Sequence, residues 1–265
     1  MSGSKNKIFL DHAFDFHKDG KIIHVVKGGY MRNTITSLMV ACSIVFVFCS
    51  GCSSFMKSDN YYGVKTASKN IVFLIDISGS MEGKNEGNVT DRLRAQALER
   101  AGSSVGSMIG GRMGSFVSSS IRKESTKLAS AKRELKPAIM GLDEHTRFTV
   151  LTFSDNVDAW NDTLQTATGT SRASGYAFIQ GLEANGGTSA LRGLKHAFTI
   201  QGVDTIFFLS DGYPSDASSS RILKEVQKLN RSRNVVIHAI GLGDNKDEAF
   251  MRALAAENGG KYVEG

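Results

Sequence analysis

Asp76, Ser78 and Ser80 stand at alternate positions directly after the apolar run Ile71-Val72-Phe73-Leu74-Ile75. Along an extended backbone, alternation turns the three oxygen-bearing side chains to one side. A carboxylate and hydroxyls grouped at a strand end form an oxygen-only cluster, and such a donor set suits a hard divalent cation, Mg2+ ahead of any softer metal. Ligands of open doubly wound sheets bind beyond the carboxyl ends of the strands. Two more oxygen donors occupy such places. Thr188 lies in Asn185-Gly186-Gly187-Thr188-Ser189, and Asp211 closes Phe207-Phe208-Leu209-Ser210-Asp211 before Gly212. With Asp76, Ser78 and Ser80 they bring carboxylates and hydroxyls from three loops.

The elements that must position these residues are legible as apolar segments: 71–75, 147–153, 205–209, 235–240 and 261–263. Runs rich in Val, Ile and Phe without polar alternation fit strands covered on both faces. Helical patterns fall between them, at 126–140, 172–183, 189–200, 218–231 and 247–257. Strands alternating with helices predict an α/β fold, a doubly wound and mostly parallel sheet with helices on both faces. Val157-Asp158-Ala159-Trp160, after Ser154-Asp155-Asn156, predicts a hairpin that adds one antiparallel edge strand. Gly186-Gly187-Thr188 and Ser215-Asp216 supply turn and cap residues ahead of two of the helices. Pro137 lacks an N–H and should kink or shorten the first one.

Asp-x-Ser-Gly-Ser-Met at 76–81, Gly-Gly-Thr at 186–188 and Ser-Asp-Gly-x-Pro at 210–214 resemble the von Willebrand factor A domain and its metal-ion-dependent adhesion site. The likeness continues through 148–154, 237–243 and the closing stretch 255–262, so it covers residues 70–265 apart from an interruption. The resemblance implies that Ser78 and Ser80 bind Mg2+ directly, that Mn2+ or Ca2+ are alternatives, and that Thr188 binds directly when a ligand is engaged. Asp76 and Asp211 would act largely through water. It further implies a partner protein that presents Asp or Glu to the ion, and no enzymatic activity. Few anionic groups around an ion leave it electrophilic enough to accept an external carboxylate.

Other chemistries fit less well. Gly79 to Asn85 follows a strand as a phosphate loop does, but it has three residues between its glycines where four are needed, and Asn85 where Ser or Thr should hold Mg2+. An aspartyl phosphotransferase of the haloacid dehalogenase type would need a second Asp where Ser78 stands. His145, His196 and His238 have no motif-like neighbours, and no nucleophile elbow accompanies any Ser.

The chain has 265 residues, 41% of them hydrophobic, and a formal net charge of +6. Residues 1–51 carry half of that excess, and the +3 that remains argues against nucleic acid as a partner. All three cysteines, Cys42, Cys49 and Cys52, fall in one window. There Met31-Arg32 precedes the apolar stretch 38–48 and then Cys49-Ser50-Gly51-Cys52, the parts of a secretory signal. The stretch is shorter than the roughly 20 residues that span a bilayer. Small residues ending in Cys resemble a bacterial lipobox, which implies lipidation at Cys52 and a lipoprotein held at the cell envelope, facing periplasm or exterior. An uncleaved signal anchor is the alternative. The expected layout is therefore an upstream extension at 1–30, with translation starting at Met31, a signal at 31–51, a tether at 52–69 and a domain from Asn70 to Gly265.

Residues 82–125 interrupt that domain. A short helical piece at 91–101 precedes Gly102, Gly106, Gly110 and Gly114 at strict four-residue spacing. On one helix that spacing forms a narrow stripe that permits close backbone approach, as in membrane or oligomer contacts. Each glycine costs about 1 kcal/mol of helix stability relative to Ala. A surface insertion, a packed helical hairpin, and a membrane-active or self-associating segment are the three readings.

Overall fold

The computed structural model describes residues 13–18, 21–26, 60–65, 68–84, 89–113, 115, 119 and 126–265. The signal at 31–51, Cys52 and Gly114 lie outside the described residues. The chain divides into two units, 1–55 and 56–265. In the first, β1 (Ala13–Lys18) pairs antiparallel with β2 (Lys21–Val26).

The second unit carries the predicted fold. It opens with a small hairpin of β3 (Asn60–Tyr61) and β4 (Val64–Lys65), followed by β5 (Asn70–Asp76) and α1 (Val89–Ile109). Next come α2 (Lys127–Met140), β6 (Arg147–Phe153), β7 (Val157–Ala159), β8 (Gln165–Thr166) and α3 (Gly169–Gln180). The chain closes with α4 (Ala190–Thr199), β9 (Thr205–Ser210), α5 (Ser219–Asn230), β10 (Val236–Gly241), α6 (Glu248–Glu257) and β11 (Tyr262–Glu264).

The sheet runs β11-β10-β9-β5-β6-β7, parallel up to β6 and antiparallel at its edge. The sequence predicts one antiparallel edge strand. A second, two-residue one is present, because β8 also pairs with β6. From β5 the chain turns one way to β6 and later returns to the other side as β9. The order therefore reverses between β5 and β9, where ligands of such sheets bind.

Strand alternation divides the core into two layers. Val72, Leu74, Ile206 and Phe208 face α4, α5 and α6, whereas Ile71, Phe73, Ile75, Phe207 and Leu209 face α2 and α3. Burial on both faces is why these strands read as unbroken apolar runs. Phe73 of β5 stacks on Phe207 of β9 at 5.5 Å. Tyr61, fully buried, meets both rings edge-on at 5.5 and 5.6 Å. Tyr61 and Val64, inside the stretch that the sequence reads as tether, thus belong to the core. A two-residue strand is too short to show the periodicity that would have revealed it.

Helix α2 runs through Pro137 to Met140 without being shortened. Pro137 sits in the last turn, so its missing N–H removes a single main-chain bond, while Leu135, Ala138 and Ile139 around it stay buried. Helix α1 is longer than the piece predicted at 91–101 and passes through Gly102 and Gly106. Gly110 and Gly111 then take left-handed backbone angles (φ +66° and +58°), the usual glycine ending of a helix. The described glycines of the stripe therefore do not share one helical face. Among the described residues no helix is long and apolar enough to cross a membrane.

Both ends of the interruption meet. Lys84 bridges Thr126 antiparallel, and the Lys127 N–H donates to the Gly83 carbonyl at 2.9 Å. Residues 83–84 and 126–127 thus lie together, so the cost of closing the chain between them is small. Replacing 85–125 by a two-residue Asn-Gly turn should keep the domain folded and move its thermal midpoint by less than about 4 °C, roughly 1 kcal/mol. Loss of the cooperative thermal transition would contradict this.

Candidate metal centre

The centre is built where β5 and β9 end side by side. Ile75 is in register with Leu209, which sets Asp76 beside Ser210 and Asp211 just past it. Asp76 is fully buried and each of its oxygens accepts one bond: Oδ1 from the Ser78 N–H at 2.8 Å, Oδ2 from the Ser210 hydroxyl at 2.5 Å. The first bond bends the chain into the 3-10 turn Gly79–Glu82, whose Met81 packs into the core.

Hydroxyls then link the two strand ends. Ser80 Oγ donates to Asp211 Oδ1 at 2.8 Å, and Ser78 Oγ lies 3.0 Å from Ser80 Oγ. The other oxygen of Asp211 accepts from Lys127 Nζ at 2.7 Å. A Cβ on Gly212 would stand 3.7 Å from both Ser80 Oγ and Thr188 Oγ1, which places the third hydroxyl against the same spot. All five residues expected from sequence are thus gathered. Asp76, Ser78, Thr188 and Asp211 are buried while Ser80 is exposed, so the cluster opens outward at its hydroxyl end.

Main-chain bonds fix the loops to one another. Gly79 N–H donates to Gly186 O at 3.0 Å and Asn185 N–H to Ile77 O at 2.8 Å. Gly186 has φ +71°, and a Cβ there would come within 2.5 Å of Asp155 Oδ2, so this turn needs glycine. Asp155 Oδ1 accepts the Gly187 N–H at 2.9 Å. Ser215 Oγ accepts the Thr188 N–H, also at 2.9 Å. The sequence reading placed Ser215-Asp216 as a cap for the helix that follows. Instead Asp216 accepts the Leu191 and Arg192 N–H groups at the start of α4, and Ser215 steadies the Thr188 loop.

From sequence Asp155 reads only as a hairpin-turn residue and Ser210 only as part of the Ser-Asp-Gly-x-Pro motif, and Lys127 has no role beyond its helix. Ser210 was legible in principle, since it adjoins Asp211 at a strand end. Lys127 carried no such signal, because the interruption separates it from the first loop. His238 stacks on Phe207 and its Nδ1 accepts the Lys261 N–H, while His196 meets Asp162 at 3.2 Å. Neither reaches the cluster.

Among the described residues no three His, Cys, Asp or Glu side chains group together. A cation here would be held by hydroxyls as much as by carboxylates, and hard oxygen donors around the Gly212 cradle fit Mg2+. Burial pushes the Asp76 carboxyl up from 3.8 to about 6, opposed by its bonds from Ser210 and Ser78 and reinforced by the neighbouring Asp211.

Comparisons with known proteins agree with the fold. The family model described as von Willebrand factor type A domain matches residues 117–263. The human von Willebrand factor A domain-containing protein 3A is 37% identical over 117 residues, 43% of this chain and 10% of that protein. Human inter-alpha-trypsin inhibitor heavy chain H2 is 25% identical over 206 residues, 72% of this chain and 17% of that one. This chain therefore matches only a minor part of each relative. Among solved structures, a von Willebrand factor type A protein from Catenulispora acidiphila superposes with a TM-score of 0.54 at 20% identity, covering 76% of this chain and 39% of the other.

The raised Asp76 carboxyl has a sign. Between about pH 4 and pH 6 the folded state holds a proton that the unfolded state has released, so stability falls as pH rises through that window. In EDTA, the urea stability of Asp76→Asn relative to the parent should improve by about 1–3 kcal/mol between pH 4 and pH 7. A difference that does not change with pH would contradict the burial argument.

Proposed function

The chain belongs to the von Willebrand factor type A domain family, whose members are in general protein-interaction and adhesion modules, and on that premise we propose that it is a metal-dependent binding module rather than an enzyme. Ser78, Ser80 and Thr188 would hold Mg2+, with Mn2+ or Ca2+ as substitutes, and Asp76 and Asp211 would orient those hydroxyls from behind. When bound, the ion supplies a Lewis-acidic centre for an external carboxylate oxygen. The partner is accordingly a protein that presents Asp or Glu.

The observation that carries this reading is the run of hydroxyl contacts from Ser78 through Ser80 to Asp211, with the Thr188 hydroxyl beside the same Gly212 position and only Ser80 exposed. Both carboxylates have their oxygens turned toward hydroxyls, backbone or Lys127, and neither is directed at solvent. Hydroxyls are neutral donors, and an ion they hold keeps most of its charge for a ligand from outside.

Anchoring at a cell envelope through a lipidated Cys52 belongs to the same proposal and is supported by the sequence of residues 31–52 alone. Cys52→Ala should move the protein from the detergent phase to the aqueous phase on partition. An unchanged distribution would oppose a lipid anchor.

Ser80→Ala tests the metal reading. It removes a hydroxyl at the exposed rim and with it the bond to the buried Asp211 Oδ1, so the thermal midpoint in EDTA should fall by roughly 3–10 °C while the cooperative transition is kept. Calorimetric titration with MgCl2 should show affinity reduced at least about tenfold. Equal Mg2+ affinity in parent and variant would count against the assignment.

A further inference from the structure

Lys127 is held in the cluster by more than its ion pair. Its N–H is bonded to Gly83 O at 2.9 Å, and Thr126 caps the helix behind it by accepting the Ala129 N–H at 3.1 Å. The stem runs through a slot between two glycines. A Cβ on Gly243 (φ +66°) would stand 2.7 Å from Lys127 Cε, and one on Gly83 would stand 3.6 Å from Nζ. At the end of this slot the ammonium meets Asp211 Oδ2 at 2.7 Å, with the Lys127 side chain 11% exposed and the carboxylate fully buried. Backbone, stem and head are all confined, which a surface lysine paying its rotamer entropy is not.

Asp211 is therefore shared. Oδ1 faces Ser80 on the hydroxyl side, and Oδ2 faces the ammonium on the other. Of the neighbouring charges, Asp76 accepts from Ser78 and Ser210, and Lys246 bonds the Gly243 carbonyl and Glu264. The hydroxyl cluster is thus backed by two carboxylates and one tethered ammonium, so its net charge is one unit less negative than its carboxylates alone would make it.

We propose, on the reading of the cluster as a divalent-cation site, that Lys127 is a built-in counter-cation that weakens ion uptake by the free protein and strengthens capture of a partner's carboxylate by the loaded one. The electrostatics are direct. Without the ammonium, two carboxylates would balance a divalent ion and leave a neutral centre. With it, the loaded centre keeps one positive charge, repels the ion when empty of ligand, and is neutralised by one carboxylate from outside. Ion and acidic ligand then bind with positive coupling, and each raises the affinity for the other. The domain would hold its ion loosely until a partner arrives.

The test uses the full chain at pH 7.5, with MnCl2 as the ion and acetate as the carboxylate. Lys127→Met removes the charge and keeps an unbranched apolar stem for the slot, and Lys127→Gln is a second neutral variant should the first fail to fold. Calorimetry should show Mn2+ bound about tenfold more tightly by either folded variant than by the parent. Acetate added to Mn2+-saturated protein and followed by water-proton relaxation should bind at least about threefold more weakly to the variant. Unchanged or weaker Mn2+ affinity in a folded variant would overturn the role given to Lys127 and leave the metal site standing. If parent and variants all fail to bind Mn2+, the metal reading itself falls, and this inference with it.

Discussion

Two carboxylates, Asp76 and Asp211, are buried at the neighbouring ends of β5 and β9, and the rest of the site follows from the need to satisfy them. A charged group without partners in such a place costs several kcal/mol. Here each of the four oxygens receives a donor: the Ser78 N–H, the Ser210 hydroxyl, the Ser80 hydroxyl and the Lys127 ammonium. These donors come from three separate stretches of chain. Meeting them draws the turn after β5, the end of β9 and the start of α2 to one point. The same demand turns the Ser80 proton toward Asp211, away from the opening. A site able to take a hard cation is in this sense a by-product of burying two acids at a sheet's switch point.

The sheet beneath explains why the strand ends hold their place. Phe73 and Phe207 stack across β5 and β9, and Tyr61 wedges against both. Each fully buried aromatic or aliphatic side chain contributes roughly 1.5–3 kcal/mol. The rings therefore hold β5 and β9 together beneath the polar cluster. The polar residues at the top use a geometry set by the apolar residues below.

Much of this was legible from residues alone, for identifiable reasons. Strands buried on both faces must be continuously apolar, which made β5, β6 and β9 visible to within a residue. Alternation of Asp76, Ser78 and Ser80 after one of them marked the site, and Thr188 and Asp211 followed from asking what stood at other loop starts. Lys127, Asp155 and Asp216 escaped because each acts across space on a loop that is distant in sequence, and nothing local sets a paired lysine or an Asp at a loop apart from a solvated one. Tyr61 escaped because a two-residue strand has no period. The glycine stripe misled in the opposite direction: regular spacing along the chain became helix at Gly102 and Gly106 and left-handed turn at Gly110.

Residues 85–125 enter and leave beside the cluster, between Gly83 and Lys127, without contributing any of the five site residues. Whatever that segment does, it is mounted at the rim of the proposed binding site. The central claim is that the oxygen cluster takes a divalent cation, and anomalous scattering from a crystal of the protein grown with MnCl2 tests it most directly. The account predicts one Mn2+ peak in contact with the hydroxyls of Ser78 and Ser80, beside Thr188. A well-ordered crystal without a peak there would contradict it.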